Sequence, residues 1–175
     1  NEGLKLPPVM CLWQAGVYTS QEALQITLND IEIAHRQKHI GSNEEKVLKI
    51  ISRLTYDIES FTHTRKLTKV AQSLLDIVDD KTKIALIANY DVGQFEKSFN
   101  KFGQVLGAIP KENILVSAKE KLVKPNIEFY KLMIERCKFD SETTLFIDDE
   151  KHNVEAAIKA GIRFAYLPGF GLVCQ

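Results

Sequence analysis

Leu-Phe-Ile-Asp-Asp, residues 145–149, decides how the rest of this chain is read. Three apolar residues run directly into two adjacent acids. So short an apolar run, bounded by polar residues, suits a strand buried on both faces of a parallel sheet. Asp148 and Asp149 then fall at the strand's carboxyl end, where open α/β sheets bind ligands. Neighbouring carboxylates repel, so a cation beside them is expected, and Mg²⁺ takes carboxylate oxygens and water. The alternative is structural: Asp149 caps a helix that starts near Lys151. Spacing alone leaves both readings open.

Other stretches share this strand-like character. Residues 9–13 (Val-Met-Cys-Leu-Trp) follow Pro7 and Pro8 and read as the first buried strand, with Cys11 in the core. Residues 84–88 end at Asn89, and residues 114–116 and 164–167 complete the set. Between them the apolar period lengthens to that of helices. Thr19 or Ser20 caps a helix reaching about His39, with Leu24, Leu28, Ile31 and Ala34 on one face. Gly41 stops it, and Val47, Ile50, Ile51, Leu54 and Ile58 give the next helix an apolar face. A third helix is predicted over residues 65–78, with Leu67, Val70, Ala71, Leu74 and Leu75 inward. Residues 92–102 carry Phe95, Phe99 and Phe102 at helical spacing. Residues 126–137 form a helix with Pro125 suited to its first turn, and residues 154–160 one closed by Gly161. Strands alternating with helices from residue 83 predict a parallel, doubly wound α/β sheet. The helical stretch after the first strand reads as an insertion over the strand ends.

Composition narrows the function classes. The 175 residues have room for one well-buried domain with a small insertion. Lys plus Arg equals Asp plus Glu at 23 each, so no electrostatic bias favours nucleic acid or an anionic membrane. Three scattered cysteines make neither a disulfide framework nor a zinc pattern, which points to a reducing, cytoplasmic setting. No apolar run reaches the roughly 20 residues of a membrane-spanning helix. The opening residues carry no signal-peptide pattern.

Three further stretches carry a resemblance. Ile-Ala-Leu-Ile-Ala-Asn-Tyr-Asp (residues 84–91) is similar to a strand ending in Ser/Thr then Asn. Val-Lys-Pro-Asn-Ile-Glu-Phe-Tyr (residues 123–130) is similar to a Lys-Pro opening a helix. Residues 145–162, Leu-Phe-Ile-Asp-Asp through Lys-Ala-Gly-Ile, complete the set. From about Val9 to Leu167 the chain resembles the haloacid dehalogenase-like hydrolase superfamily, in its subfamily with a helical cap. The resemblance implies a Rossmann-like three-layer α/β core with a parallel sheet over residues 1–18 and 63–175. A small all-helical cap follows the first strand, over residues 19–62. It also implies an aspartate nucleophile ending that strand, a second aspartate as acid/base, a lysine neutralising charge, and acids holding Mg²⁺.

The first motif departs from that pattern. Gly16-Val17 fixes the register, so the nucleophile position is Trp13 and the acid/base position is Ala15. Ala88 replaces the Ser/Thr of the second motif. Asn89, Lys124, Asp148 and Asp149 remain. An indole cannot attack phosphorus and an alanine cannot shuttle a proton. With Asp148 as the one remaining metal carboxylate, supported by Asp149, the expectation is no tightly held Mg²⁺ and a direct Lys124–Asp148 salt bridge. The leading expectation is therefore a catalytically degenerate member retained for binding or assembly, with a protein partner or a second copy. The alternatives are a phosphatase-class hydrolase using another group, with Tyr18 and Thr19 the nearest hydroxyls, and a sensor of small anions using Lys124 and Asn89.

Other candidates have plainer explanations. His35 and His39 share a helix face without a third ligand, which fits a solvated face better than a metal site. Trp13 reads as a hydrophobic plug, with an aromatic ligand floor as the alternative. Gly169 and Gly171 read as a loop, because no strand-to-helix context surrounds them.

Overall fold

The computed structural model describes residues 7–64, 66, 69–76, 79 and 82–174. A chain of helices leads into strands alternating with helices, in a mixed α/β fold with parallel strands. The helices are α1 (Pro8–Gln14), α2 (Ser20–Arg36), α3 (Ser42–Tyr56), α4 (Ile58–Thr64) and α5 (Lys69–Asp76). Next come β1 (Leu86–Ala88), α6 (Val92–Lys101), α7 (Gly103–Leu106), β2 (Ile114–Val116), α8 (Ser117–Glu120) and α9 (Ile127–Cys137). The chain closes with β3 (Leu145–Ile147), α10 (Lys151–Lys159), β4 (Phe164–Leu167) and β5 (Gly171–Cys174). None of the described helices is long and apolar enough to cross a membrane.

The expected continuous sheet is split. β1 pairs with β2 in parallel, Ile87 opposite Leu115. β3 pairs with β4 in parallel, Phe146 opposite Ala165, and β5 returns antiparallel along β4. No ladder joins β1 to β3 among the described residues. The expected first strand, residues 9–13, is the helix α1 instead. Pro7 lies extended ahead of it and Pro8 takes the first helical position, where a missing N–H costs nothing. An apolar run this short satisfies either period, so packing partners choose. Here Trp13 packs on Tyr56 of α3, leaving Cys11 exposed rather than in the core. Gly169 and Gly171, expected in a loop, instead make the turn into β5 and its first residue.

The helices mostly start where their caps dictate. Thr19 and Glu22 exchange hydrogen bonds at the start of α2: Glu22 N–H donates to Thr19 Oγ1 (3.2 Å) and Thr19 N–H to Glu22 Oε2 (2.8 Å). Asp91 accepts from Gly93 and Gln94 to open α6, and Asn126 accepts from Glu128 to open α9. Pro125 therefore precedes the cap of α9 instead of joining its first turn. The second expected helix breaks at Asp57, whose carboxylate accepts from Ser60 N–H (2.8 Å) and starts α4. Its apolar face is not buried: Val47, Ile50, Ile51 and Leu54 are exposed. In place of that face, Lys49 joins Glu32 of α2 (3.0 Å) and Glu45 (2.9 Å). The expected helix over residues 65–78 is represented by α5; the side chains of Leu67, Val70, Ala71, Leu74 and Leu75 lie outside those described.

The main core lies where α9 and α10 meet the strands, with Leu115, Phe129, Tyr130, Phe146, Ile162 and Ala165 at its centre. Cys137, at the end of α9, is buried in the same cluster, and burial pushes its thiol pKa up. A pKa raised in the folded state favours folding while the thiol is protonated, and that contribution fades as pH climbs through the raised value. Alkylation of the native protein at pH 8 should therefore label Cys11 and Cys174 and leave Cys137 intact until denaturant is added. Labelling of Cys137 at the same rate in the folded chain, read by peptide mass spectrometry, would contradict this placement.

Candidate functional site

Two strand ends and one loop supply the polar residues of the site. Asn89 follows β1 and Asp148 follows β3, while Lys124 lies ahead of α9. The Asn89 amide grips the backbone of Lys124 from both sides: its Nδ2 donates to Lys124 O (2.9 Å), and its Oδ1 accepts from Lys124 N–H (2.8 Å). That grip aims the lysine side chain. Lys124 Nζ donates to Asp148 Oδ2 at 2.6 Å, with both side chains largely buried. The other oxygen of Asp148 accepts from Glu150 N–H (2.9 Å) and Asn153 Nδ2 (3.1 Å). The backbone N–H of Asp148 is tied to Tyr166 O of β4 (3.2 Å). Asn89, Lys124 and Asp148 are thus each partnered within the chain.

Above this pair opens a cleft of about 940 Å³. Its walls include Leu86, Ala88 and Ile147 from the strands, Ile51 and Leu54 from α3, and Trp13 from α1. Trp13 also holds this corner together. It is 3% exposed, meets Tyr56 edge-on (centroids 4.8 Å apart, planes at 73°), and donates from Nε1 to Ser20 Oγ (3.2 Å). That is a plug's packing, although one side of the residue faces the cleft. Asp149 lies exposed on the rim. It does not cap α10: Glu150 takes that position without a side-chain hydrogen bond, and Asp148 satisfies the Glu150 N–H. Ala15 is not part of the cleft wall.

The site contains amides that the sequence reading passed over. Asn153 is 1% exposed and Gln14 is half-buried; both line the cleft, and Asn153 Oδ1 and Gln14 Oε1 have no hydrogen-bond partner. Asn153 stands five residues after Asp148, one turn into α10, a spacing that could have marked it. Nothing in the sequence marks Gln14. Beside them Tyr130 is fully buried with an unpartnered hydroxyl; burial, then the negative charges of Asp148 and Glu150, hold its phenol far above the usual range.

The pattern of haloacid dehalogenase-like hydrolases matches residues 13–167. The chain belongs to that family. No match was found among curated proteins. Among solved structures, the chain is similar to the HAD family enzyme BT-2542 from Bacteroides thetaiotaomicron. An aspartate-to-alanine mutant of that enzyme, in complex with magnesium and inorganic phosphate, gives a TM-score of 0.64 at 19% identity, covering 95% of this chain and 75% of that one. The wild-type enzyme in the same complex gives 0.61 at 18% identity, covering 95% and 77%. Its magnesium complex also gives 0.61 at 18%, covering 96% and 78%. At these identities the likeness establishes the fold.

The magnesium in the BT-2542 complexes raises the question of whether these residues fit the ion. They do not as arranged. No group of three His, Cys, Asp or Glu suited to a metal occurs among the described residues. Both oxygens of Asp148 are engaged, one by a lysine ammonium standing where a cation would sit. His35 and His39 make no metal pair either: His35 Nδ1 meets Ile40 O (3.2 Å) and its Nε2 faces Glu45 (3.5 Å).

A largely buried ion pair is costly to halve. Lys124→Ala strands a desolvated carboxylate and should destabilise the fold by about 3–5 kcal/mol, read from urea unfolding. Replacing both members by apolar residues, Lys124→Met with Asp148→Leu, should cost markedly less. A cost for Lys124→Ala below about 1 kcal/mol, the size of an exposed pair, would mean that the two charges do not depend on each other.

Proposed function

We propose that this hydrolase-family chain is catalytically degenerate and serves as a binding or assembly protein. One observation carries the reading: an ammonium and a carboxylate that would handle substrate and metal are closed on each other at 2.6 Å. Trp13, at the nucleophile position, adds a ring with no nucleophilic atom. Ala88 ends β1 with no hydroxyl for a phosphoryl oxygen. In this reading residues 19–62 act as the cap, the setting is cytoplasmic, and the partner is another protein or a second copy. No nucleic acid and no membrane enter it.

The alternative, a phosphatase-class enzyme of unconventional chemistry, is favoured by the cleft itself. A cavity of about 940 Å³ lies in the size range of small-molecule sites, and BT-2542 has been crystallised with magnesium and inorganic phosphate. Neither hydroxyl nearest the first motif supports it: Thr19 Oγ1 donates to Glu22 as part of the α2 cap, and Tyr18 packs against the Trp13 cluster. The anion-sensor reading is weaker, because Lys124 and Asn89 are committed to Asp148 and to each other.

Hydrolysis of a generic aryl phosphate with Mg²⁺ separates these readings. The native chain should show no turnover above background, at least about 10⁴-fold below an intact enzyme of this type. Calorimetric titration with MgCl₂ should give no micromolar binding. Native turnover that Asp148→Asn abolishes would refute the degenerate reading. The double variant Trp13→Asp/Ala15→Asp, checked for folding by circular dichroism, tests whether those two positions alone limit the chemistry.

A further inference from the structure

We infer that α3 presents a docking surface for one amphipathic helix of another protein, apolar along its centre and acidic along one flank. The inference rests on the binding role proposed above and names its surface. Val47, Ile50, Ile51 and Leu54 stand at positions i, i+3, i+4 and i+7, so they share one stripe that runs about 11 Å along the helix. Each of the four is more than half exposed. The stripe cannot turn inward, because the opposite side of the helix is held. Ser52 and Tyr56 are buried there, and Tyr56 meets the Trp13 ring and accepts from Thr27 Oγ1 (3.1 Å). On the same side Lys49 pairs with Glu32 of α2, and Glu45 faces His35.

Charge selects the occupant. Lys46 and Arg53 stand at positions i and i+7, so both border the stripe on the side of Ile50. Both are exposed, and neither joins an ion pair among the described residues; the pairs of α3 run through Glu45 and Lys49 on the held side. Two unpaired cations along one edge of an apolar seam are the complement of an acidic flank. On the other edge Glu44 is committed to the helix start, where its Oε2 accepts from Gly41 N–H (2.7 Å). A second copy of this chain does not supply the acids. Antiparallel two-fold pairing that sets Val47 against Leu54 of the second copy lays Lys46 beside its Arg53, and parallel pairing lays Lys46 on its Ile51.

The shape of the surface fits a helix. Apolar anchors at this spacing are what an amphipathic helix lays into a groove. Ile51 and Leu54 also form part of the cleft wall, so the surface drops away beside them. That relief accommodates a rounded rod and leaves a flat bilayer without contact. Val47 and Ile50 lie outside the cleft lining, so the stripe continues beyond it. Four anchors over so short a length suit a weak, exchanging contact rather than a permanent one.

Fluorescence anisotropy supplies the test, with the full chain and two labelled peptides of about 20 residues, long enough to hold a helix. Both carry Leu at helical spacing; one has Glu along a single flank and the other has Lys there. The Glu peptide should bind with a micromolar dissociation constant, at least about tenfold tighter than the Lys peptide. Val47→Glu/Ile50→Glu should weaken it at least about tenfold with an unchanged circular dichroism spectrum. Lys46→Glu/Arg53→Glu should reverse the preference, and this variant decides if the first one does not fold. Equal binding of the two peptides, or binding of neither, overturns the inference. A dimer in analytical ultracentrifugation that Ile50→Glu dissociates overturns it by giving the stripe to a second copy. Co-sedimentation with vesicles of phosphatidylcholine and phosphatidylserine, lost in Val47→Glu/Ile50→Glu, overturns it by giving the stripe to a membrane. Turnover of aryl phosphate would refute the degenerate reading without changing any of these affinities, and absence of peptide binding would overturn the docking surface alone.

Discussion

The contact between Lys124 and Asp148 is the constraint on which the site depends. Lys124 is tied by its backbone to the end of β1, and Asp148 is tied by its backbone to β4. Their side chains therefore join the β1–β2 pair to the β3–β4–β5 sheet, where no ladder does so among the described residues. The strength of this clamp lies less in Coulomb attraction than in what breaking it exposes. Two desolvated charges roughly offset their burial when paired, and either alone is severely destabilising. The Asn89 grip, the Glu150 N–H and the Asn153 amide then fix where each charge can go.

On the degenerate reading proposed above, the pair also accounts for how such a site would persist without a first carboxylate. A lysine beside a nucleophilic aspartate shares its charge between that group and the substrate. With Trp13 in that position, no carboxylate is supplied from the first motif, and a largely buried ammonium needs another partner. Asp148 is within reach, and its Oδ2 accepts from Lys124 Nζ at 2.6 Å. The two charges offset each other electrostatically. On the proposed reading, a metal cation and Lys124 would compete for the same Asp148 oxygen.

Much of the strand order was legible in the sequence, and the physical reason is local. Residues 114–116, 145–147 and 164–167 are short apolar runs in polar surroundings, with helix signals behind them, so the reading had one answer. The ends of the helices were legible wherever a Thr, Asp or Asn side chain caps the first turn. Residues 9–13 were not legible, because a run apolar on every side has no period to read. Whether it lies in a sheet or a helix depends on Tyr56, forty-three residues on, which no local pattern reveals. β5 was missed for a related reason: two glycines and an exposed Phe170 suggest a loop, and only the edge of β4 makes residues 171–174 a strand.

The site was legible to the extent that its chemistry is ionic. Asp148 and Lys124 stand out because a charged residue directly after or before an apolar element asks for a partner. Gln14 and Asn153 do not stand out, since a neutral amide is at home on any surface; its significance appears only when burial removes water from its carbonyl. Both unsatisfied carbonyls line the cleft between the two sheets, together with Leu86, Ile87 and Ala88 of β1 and Ile147 of β3. A folded chain tolerates few such groups, and these two share one cleft. Gln14 of α1 and Asn153 of α10 thus bring two unpartnered carbonyls to the cleft where the β1–β2 pair meets the β3–β4–β5 sheet.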